Sequence, residues 1–493
     1  MGPRDGPSPP LPQLPTDTRD IAMSTFGRRD RFGPSRRALL RYGVSGAAAA
    51  GVVASWDRLT GADIPGREGD ALTVATLGSA VDPAAQRALR DGFQELHPDI
   101  PVRLIAVQAT DWPDFFAKIL TQIAAGTAPD VVYVATEGVQ LFAESLGVAL
   151  DDRVRRDADE LREYFADVHP SLVESMMYEG SLYQLPVEFN AADMYLNTSV
   201  LGSAGLGTPP PHWDRDDLTA LLTELRDAGG RGFTPYYWTN RLWGGVVPWL
   251  FVNDTNILAE SRAPGGAWLW DAFYPGEAAG RGGGYRWTTP QATSDRVVEV
   301  YDHLTELIQR GLCSRPEGGG GNNLVGVFST GRVGVTPAGG FWAGGLHEAG
   351  MDRDGYDVTF FPRWRGQRHQ FGGAGYALLR TSRKPDEAWE FIKYSVRREV
   401  LEALFEGNQT TPARRSMVTA DRYRSTGPAG WRTFYDTLDA FPDTGPIPAP
   451  PQVTEVELAL TKHTGTALSS PRSVRPALRA MQHDLEAAME RAR

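Results

Sequence analysis

The sequence predicts an α/β fold, because short apolar strands alternate with amphipathic helices after residue 70 and turn residues stand at the junctions. Leu72–Leu77, Val102–Val107 and residues 131–134 are apolar runs with the length of buried strands. The alternation indicates a largely parallel sheet. Ligands of such sheets bind beyond the carboxyl ends of the strands, which here are the turns at 78–79 and 135–138.

Apolar residues at helical spacing follow each predicted strand. Three predicted helices carry Leu89 and Phe93, Ile119 and Ile123, and Phe142, in that order. Further along the chain, Asp214 is expected to cap a fourth helix, since its carboxylate can accept hydrogen bonds from the first free amides. The last helix is predicted from four apolar residues three or four positions apart, which are Val474, Leu478, Met481 and Leu485.

Length and composition narrow the function. The 493 residues are enough for two or three lobes, with 41% hydrophobic and 23% charged residues. The net charge of −11 argues against nucleic acid, because an acidic surface repels phosphates. A single cysteine, Cys313, excludes an internal disulfide and a thiolate metal cluster, and we expect it to be buried. The eight histidines lack metal-ligand spacing, so no metal or other cofactor is expected.

The N-terminal segment, residues 1–69, is predicted to be a disordered start followed by an export signal and a tether. Arg36 and Arg37 precede an uncharged stretch of small residues at 42–54, which is too short to span a bilayer. Paired arginines before a mild apolar run are typical of a twin-arginine signal. The segment holds no cysteine, so a lipoprotein anchor at a signal-region cysteine is excluded. We therefore expect an exported protein of the cell envelope or the extracellular space.

Six segments of the chain carry a recognisable pattern, and they are AAGTAPDVVYV at 124–134, GSLYQLPVEFNAADMYLNTSVL at 180–201, FSTGRVGVTPAGGFW at 328–342, FGGAGYAL at 371–378, SRKPDEAWEFIKYSV at 382–396 and TTPARRS at 410–416. In this order and spacing they resemble the extracellular solute-binding proteins that feed sugars to ATP-binding-cassette importers, the maltose-binding-protein-like class with the periplasmic binding protein type II fold. The resemblance spans about 70–465. It departs from the family pattern at 333–335, where valines replace Ala-Met, and at Leu196, where tyrosine is common.

This resemblance implies a two-lobed clamp, in which each lobe is a mixed sheet flanked by helices and the ligand binds in the cleft between them. Lobe 1 would comprise residues 70–188 and 374–444, and lobe 2 would comprise 189–373 and 445–493. The chain would cross between the lobes near 186–190, 371–375 and 444–451. Bound solute would bias an equilibrium between open and closed forms.

Sugars offer flat C–H faces and a rim of hydroxyl groups, so a site needs aromatic platforms and charged hydrogen-bonding groups. Trp342 is the first expected platform, since the family has a cleft tryptophan there, and Trp243 is the second. Glu137 ends the third strand, where sugar-binding relatives have an acid. The remaining candidates lie at the predicted crossings and in the loop near 410, and they are Glu188, Asn190, Gly373, Asn408 and Arg414.

Other functional classes leave fewer marks in the sequence. The chain has no Gly-x-Ser-x-Gly, no His-Glu-x-x-His and no dinucleotide fingerprint, so no catalytic residue is assigned and no enzyme is expected. A carbohydrate-active enzyme stays an alternative, because a glycosidase needs only two carboxylates. A second alternative keeps the clamp but binds a glycerophosphodiester, a polyol or a peptide. The expected partners are a small carbohydrate and the membrane permease subunits of the importer, and the protein is expected to be a monomer.

Overall fold

A computed structural model describes residues 70–78, 83–278, 280–318, 322–405, 410–418 and 427–490. The predicted signal and tether and the candidate Asn408 lie outside these residues. No helix of the described ranges is long and apolar enough to cross a membrane. The α-helices are Pro83–Leu96, Trp112–Ala125, Val139–Ser145, Asp151–Arg156, Ala158–Asp167, Pro170–Ser175, Thr198–Ser203, Arg215–Ala228, Val247–Val252, Ala267–Phe273, Asp295–Gln309, Asn322–Ser329, Phe341–Glu348, Pro385–Ser395, Arg398–Leu404, Arg415–Val418, Thr433–Ala440, Val453–Ala467 and Val474–Glu490.

A mixed sheet of seven strands contains the three strands predicted first. Leu72–Leu77 pairs in parallel with both Val102–Val107 and Val131–Ala135, as expected. Gln370–Leu378 pairs antiparallel with Val131–Ala135 and with Pro186–Ala191, and Thr411–Pro412 pairs antiparallel with Pro186–Ala191, so the sheet is mixed and the expectation of a largely parallel sheet is wrong beyond the first three strands; the short strand Gly445–Pro446 is again parallel to its neighbour. In spatial order the strands are Thr411–Pro412, Pro186–Ala191, Gln370–Leu378, Val131–Ala135, Leu72–Leu77 and Val102–Val107, and Gly445–Pro446 also pairs with Gln370–Leu378.

A second, four-stranded sheet follows in the chain. Its strands in spatial order are Asp357–Thr359, Asp193–Leu196, Val333–Ala338 and Thr234–Tyr236. Within the described ranges the remaining strands form three two-stranded ribbons, which are Met177–Tyr178 with Ser181–Leu182, Leu258–Arg262 with Tyr285–Pro290, and Thr239–Asn240 with Glu317–Gly318. Two sheets flanked by helices confirm the predicted α/β fold class.

Local sequence signals fix two helix ends, and the first of them is the predicted cap at Asp214. The Asp214 carboxylate accepts from the amides of Asp216 and Asp217, and the Asp214 amide donates to the Asp217 carboxylate, which completes a capping box. Helix Trp112–Ala125 ends at Gly126, whose φ of 76° is left-handed and favours glycine.

Cys313 is buried, as predicted, and its sulfur accepts a hydrogen bond from Nε1 of Trp238 at 3.1 Å.

The chain passes between the two sheets at three places. Ala192 separates strand Pro186–Ala191 of the first sheet from Asp193–Leu196 of the second. Residues 360–369 lead back into the first sheet, a few residues before the predicted position. After Gly445–Pro446 the chain leaves the first sheet again, because Ile447 and Ala449 are packed in the core that underlies the second sheet. The lobe boundaries drawn from the sequence stay a prediction.

An arm from the second half of the chain reaches onto helices near the first sheet. The arm comprises residues 263–278 and 280–284. Phe273 packs on Phe165 with ring centroids 4.2 Å apart, and the Tyr274 hydroxyl donates to the Val168 carbonyl at 3.0 Å. Trp268 donates from Nε1 to the carboxylate of Asp151 at 2.9 Å. The arm, which the prediction assigns to lobe 2, therefore contacts residues that the prediction assigns to lobe 1.

A buried carboxylate anchors this arm. The Glu174 side chain is 1% exposed and lies 3.0 Å from Nε of Arg262 and 3.2 Å from Nη1 of Arg281. The Gly282 amide donates to the same carboxylate at 2.8 Å. All these donors come from the arm or its first flanking residue, so one buried acid fixes both ends of the arm.

We expect Glu174→Gln to lower the free energy of unfolding by about 2–4 kcal/mol, since removing one partner of a buried ion pair leaves uncompensated charge. The matched control is Glu277→Gln. Glu277 also pairs with Arg281, at 3.0 Å, but it is 51% exposed, and an exposed pair contributes less than about 1 kcal/mol. Urea unfolding measures both variants. Equal losses in the two would contradict the anchoring role of Glu174.

Candidate functional site

The turn at residues 241–246 brings an arginine and a tryptophan to the first sheet. Gly244 has a φ of 66°, and this left-handed conformation breaks the helical path after Trp243. The Trp243 ring is 5% exposed, nearly as buried as a core residue, and it lies against Gly372, where a Cβ atom would come within 2.8 Å of the ring nitrogen. The Gly244 amide donates to Oε1 of Gln370 at 3.1 Å. A residue larger than glycine at 372 would displace the tryptophan.

Arg241, Glu137 and Glu457 form what we term the cleft cluster. The Arg241 guanidinium lies 5.3 Å from the centroid of the Trp243 ring. It interacts electrostatically with Glu137, which follows strand Val131–Ala135, and with Glu457 of helix Val453–Ala467. The two acids come from segments more than 300 residues apart in the chain. Parts of the structure that pack around different sheets thus contribute to one polar site.

Burial changes the ionisation of this cluster. It raises the pKa of Glu457 to about 7, although the Leu242 amide donates to Oε1 at 3.3 Å and lowers it. Burial also raises the pKa of Glu137, against a lowering effect from Arg241 and from the Thr136 hydroxyl at 3.4 Å. A carboxyl group that is neutral near pH 7 can donate a hydrogen bond as well as accept one. Such a group suits a ligand with many hydroxyls.

Glu188 and Asn190 lie on strand Pro186–Ala191, beside the cluster. Burial raises the pKa of Glu188 to about 7, and hydrogen bonds with Thr410 and Tyr133 oppose that rise. The Asn190 amide donates to Oγ1 of Thr410 at 3.2 Å, while its oxygen accepts from the Phe341 amide at 3.2 Å. Glu188 interacts electrostatically with Glu137, so it belongs to the same region. Asn190 instead connects the first sheet to the helix that starts at Phe341.

Gly373 and Arg414 have other roles than the sequence predicts. The Gly373 amide and carbonyl both bond to Thr136, at 3.3 and 2.8 Å, so they hold the turn that carries Glu137 and offer no bare backbone to a ligand. Arg414 is 4% exposed and lies 3.2 Å from Glu163 and 3.6 Å from Asp167, and its Nε donates to the Val396 carbonyl. These partners belong to helices outside the cleft cluster, so Arg414 stabilises helix packing.

Trp342 is a core residue, and the prediction that it is exposed on a cleft wall is wrong. The ring is 3% exposed and meets Tyr195 and Phe328 edge to face, with centroids 5.5 and 5.8 Å apart. The physical reason is that a helix begins at Phe341, so Trp342 lies in its first turn, where the ring is directed towards Tyr195 and Phe328. The neighbouring ring, Phe341, is the one that contacts Trp243, at 5.1 Å.

Sequence reasoning also missed two acids. Asp111 caps helix Trp112–Ala125 and interacts electrostatically with Arg241 and Glu457. The Asp-Trp-Pro sequence at 111–113 is a helix start signal, which gives the cap but not its position by the cleft. Glu457 gives no signal at all, since acids are common on amphipathic helices. No cluster of three or more potential metal ligands occurs in the described ranges.

Known proteins resemble this chain in sequence and in fold. The model of the family described as bacterial extracellular solute-binding protein matches residues 75–400. The chain belongs to this solute-binding family. A binding protein of Brucella abortus strain 2308 is 21% identical over 368 residues, which cover 71% of this chain and 78% of that protein.

Solved structures share the two-lobed fold of this solute-binding protein. An ABC substrate-binding protein of Listeria monocytogenes, in complex with cycloalternan, has a TM-score of 0.68 at 17% identity and covers 85% of this chain and 98% of its own. UgpB of Mycobacterium tuberculosis, in complex with glycerophosphocholine, has a TM-score of 0.66 at 18% identity and covers 86% and 99%. These likenesses confirm the two-lobed clamp as the fold.

We expect Trp342→Ala to lower the free energy of unfolding by about 3–5 kcal/mol, because it leaves a cavity between Tyr195 and Phe328 that the core fills only in part. Phe341→Ala, at the half-buried neighbour, is the control and should cost less. Chemical denaturation measures both. A loss for Trp342→Ala no larger than that for Phe341→Ala would contradict the assignment of Trp342 to the core.

Proposed function

We propose that this solute-binding protein is exported, captures a carbohydrate, most suitably an oligosaccharide, in the cleft and delivers it to an ATP-binding-cassette importer. The observation that carries the proposal is the cleft cluster beside Trp243. Arg241 can donate to a sugar oxygen while Glu137 and Glu457 accept from, or donate to, neighbouring hydroxyls. An aromatic ring at the same place can contact the C–H face of a sugar.

The charge of the cluster favours a neutral ligand over an anionic one. Three acids, Asp111, Glu137 and Glu457, interact with the single guanidinium of Arg241. A phosphodiester placed there would meet these carboxylates, and like charges disfavour each other at short range. The structures determined with cycloalternan and with glycerophosphocholine have similar folds, so the fold does not choose between the two ligand classes. The local charge supports the sugar.

We further propose that the protein is a monomer that binds the permease subunits of the importer. It acts by binding alone, without catalysis and without a cofactor. The buried carboxyl groups of the cleft cluster support binding, since each can pair with a hydroxyl that a closing lobe would shield from water. Trp243, Glu137 and Glu188 remain our proposed ligand contacts, and Arg241, Glu457 and Asp111 join them.

A thermal-shift panel tests the ligand class. We expect a disaccharide or trisaccharide to raise the melting temperature, because a ligand that binds only the folded form stabilises it. Glu457→Gln should weaken that binding by about 0.5–1.5 kcal/mol, the value of one typical hydrogen bond. The control Glu306→Gln changes an acid that is 61% exposed and paired with Arg310, and it should leave binding unaltered.

The panel also includes monosaccharides, ribitol and glycerophosphocholine. A shift with glycerophosphocholine and none with any saccharide would overturn the carbohydrate proposal and favour the phosphodiester alternative. Chromatography of an oligosaccharide incubated with the protein measures hydrolysis. Shorter products would overturn the proposal that the protein is not an enzyme.

Export is proposed to depend on Arg36 and Arg37. Replacing both by lysine should retain the protein in the cytoplasm, because twin-arginine recognition requires the arginine pair and positive charge alone does not replace it. Immunoblots of cell fractions measure this, with Arg28→Lys and Arg29→Lys together as the matched control. Normal secretion of the Arg36 and Arg37 double variant would contradict the twin-arginine proposal and leave the fold unaffected.

A further inference from the structure

The cleft cluster holds more acids than cations. Three carboxyl groups, those of Asp111, Glu137 and Glu457, interact electrostatically with one guanidinium, that of Arg241. None of these acids forms a direct ion pair with an arginine, lysine or histidine of the described ranges. Arg241 therefore does not neutralise any of them at contact distance, and positive charge is in deficit at this site.

Direct contacts hold two of the acids at the turn that carries Arg241. The amide next to Arg241 donates to Oε1 of Glu457 at 3.3 Å. From the first sheet, Thr136 approaches the same turn, and Glu137 follows Thr136 in the chain. A Cβ atom at Gly372 would lie 3.1 Å from the Thr136 hydroxyl and 2.8 Å from the tryptophan nitrogen of the turn. The two acids thus come to one turn from different parts of the fold.

Asp111 contributes the most accessible of the three carboxyl groups. Its side chain is exposed, at the start of helix Trp112–Ala125. Oδ1 accepts from the Asp114 amide at 3.0 Å, which caps the helix. Oδ2 has no hydrogen-bond partner in the part of the chain that the structure describes, so this oxygen can bind a ligand group without loss of the cap.

The deficit of positive charge destabilises the ionised acids. Burial raises the pKa of Glu137, and it raises the pKa of Glu457 to about 7, to which the charge of Glu137 contributes. Glu188 adds a further carboxyl group beside Glu137. A cation between these groups would stabilise the charged form of each, because opposite charges a few ångström apart attract. A neutral ligand cannot supply that stabilisation.

Two buried donors lie at the same turn. Gln370 is fully buried, its Oε1 accepts from the Gly244 amide at 3.1 Å, and its Nε2 has no partner among the described residues. Nε of Arg241 is buried and unpartnered in the same ranges. Hydroxyl oxygens of a ligand are suitable acceptors for both. The site therefore offers donors for hydroxyl groups and acids for a cation.

We propose that the solute is a polyhydroxylated amine, such as an amino sugar, whose protonated amino group binds the acids of the cleft cluster while its hydroxyl groups accept from Arg241 and Gln370. This inference rests on the proposed function and narrows the class of carbohydrate. An ammonium group has three donors and no acceptor, so it matches a site with several carboxylates. Hydrogen bonds with an ionised partner are roughly twice as strong as those between neutral groups.

Isothermal titration calorimetry on the full chain compares matched ligands at about pH 7, where a primary amine is protonated. One pair is glucosamine and glucose, and the other is the β-1,4-linked disaccharide of glucosamine and cellobiose. The members of each pair differ only in amino groups that replace hydroxyl groups. We expect the amine of at least one pair to bind about ten-fold more tightly, the difference between a charged and a neutral hydrogen bond. The N-acetylated forms carry no charge and should lose this advantage.

The outcomes separate this inference from the proposed function. Equal or weaker binding of both amines would overturn the inference and leave the carbohydrate proposal intact. Binding of a neutral saccharide from the thermal-shift panel and of no amine would have the same meaning. Only the absence of binding by every saccharide and every amine would overturn the proposed function as well.

Charge-removing variants test which acids bind the amine. Asp111→Asn removes charge and keeps the helix cap, because asparagine caps a helix as well as aspartate does. We expect it to reduce the preference for the amine by about two- to five-fold, the value of an exposed charge pair. Asp214→Asn is the matched control, since Asp214 also caps a helix, and it should keep the preference. An unchanged preference in both Asp111→Asn and Glu457→Gln would contradict the assignment of the amine to these acids.

Discussion

Strand Gln370–Leu378 is the element on which the rest of the structure depends. All nine of its residues are buried, and it pairs with Val131–Ala135 on one side and Pro186–Ala191 on the other. It also pairs with Gly445–Pro446 at its start. One strand thus holds the turn that carries Glu137, the first passage between the sheets and the last one. Backbone hydrogen bonds through this strand give the cleft its fixed geometry.

The glycines of this strand follow from its crowded position. A Cβ atom at Gly372 would collide with the Trp243 ring, and one at Gly375 would lie 2.4 Å from the Leu185 carbonyl. Both glycines keep negative φ, so close approach and not an unusual conformation requires them. The glycine loop that supports the family resemblance in the sequence is therefore explained by packing.

Features with local causes could be predicted from the sequence. Strands Leu72–Leu77 and Val102–Val107 have the bounds expected from their apolar runs. The capping of a helix by Asp214 depends on residues within one turn, so it was predictable as well. The antiparallel pairings of the first sheet could not be predicted. Gln370–Leu378 follows a segment of the second sheet, and no local sequence pattern shows in which direction it will pair.

Features that depend on the relation of distant segments could not be predicted. Whether Trp342 faces the core or the cleft depends on the residue at which its helix begins, because a difference of one residue turns a helical side chain by about 100°. Glu457 joins Glu137 and Arg241 only through tertiary structure. The arm gives no signal either, since its aromatic residues are typical of any core. The family resemblance predicted Glu137 as a site residue, whereas the residues that complete the cleft cluster can be identified only from the tertiary structure.

The cleft retains polar groups that the protein alone satisfies incompletely. Nε of Arg241 and Nε2 of Gln370 are buried without a hydrogen-bond partner in the described chain, and Glu137 and Glu457 are held where ionisation is disfavoured. Each such group lowers the stability of the ligand-free form, because a buried donor without an acceptor loses its bonds to water.

A ligand with one hydroxyl that accepts from Arg241 and another that bonds to Glu137 or Glu457 would recover part of this loss without bringing a charge into the cleft. The recovered free energy is available only when both sheets present their groups to the same molecule, since Glu137 is attached to the first sheet and Glu457 to the core beneath the second. Binding and the closed arrangement are thus thermodynamically linked through the same atoms. In the proposed site, selectivity for hydroxyl-rich solutes and the signal that a ligand is bound would have one physical origin.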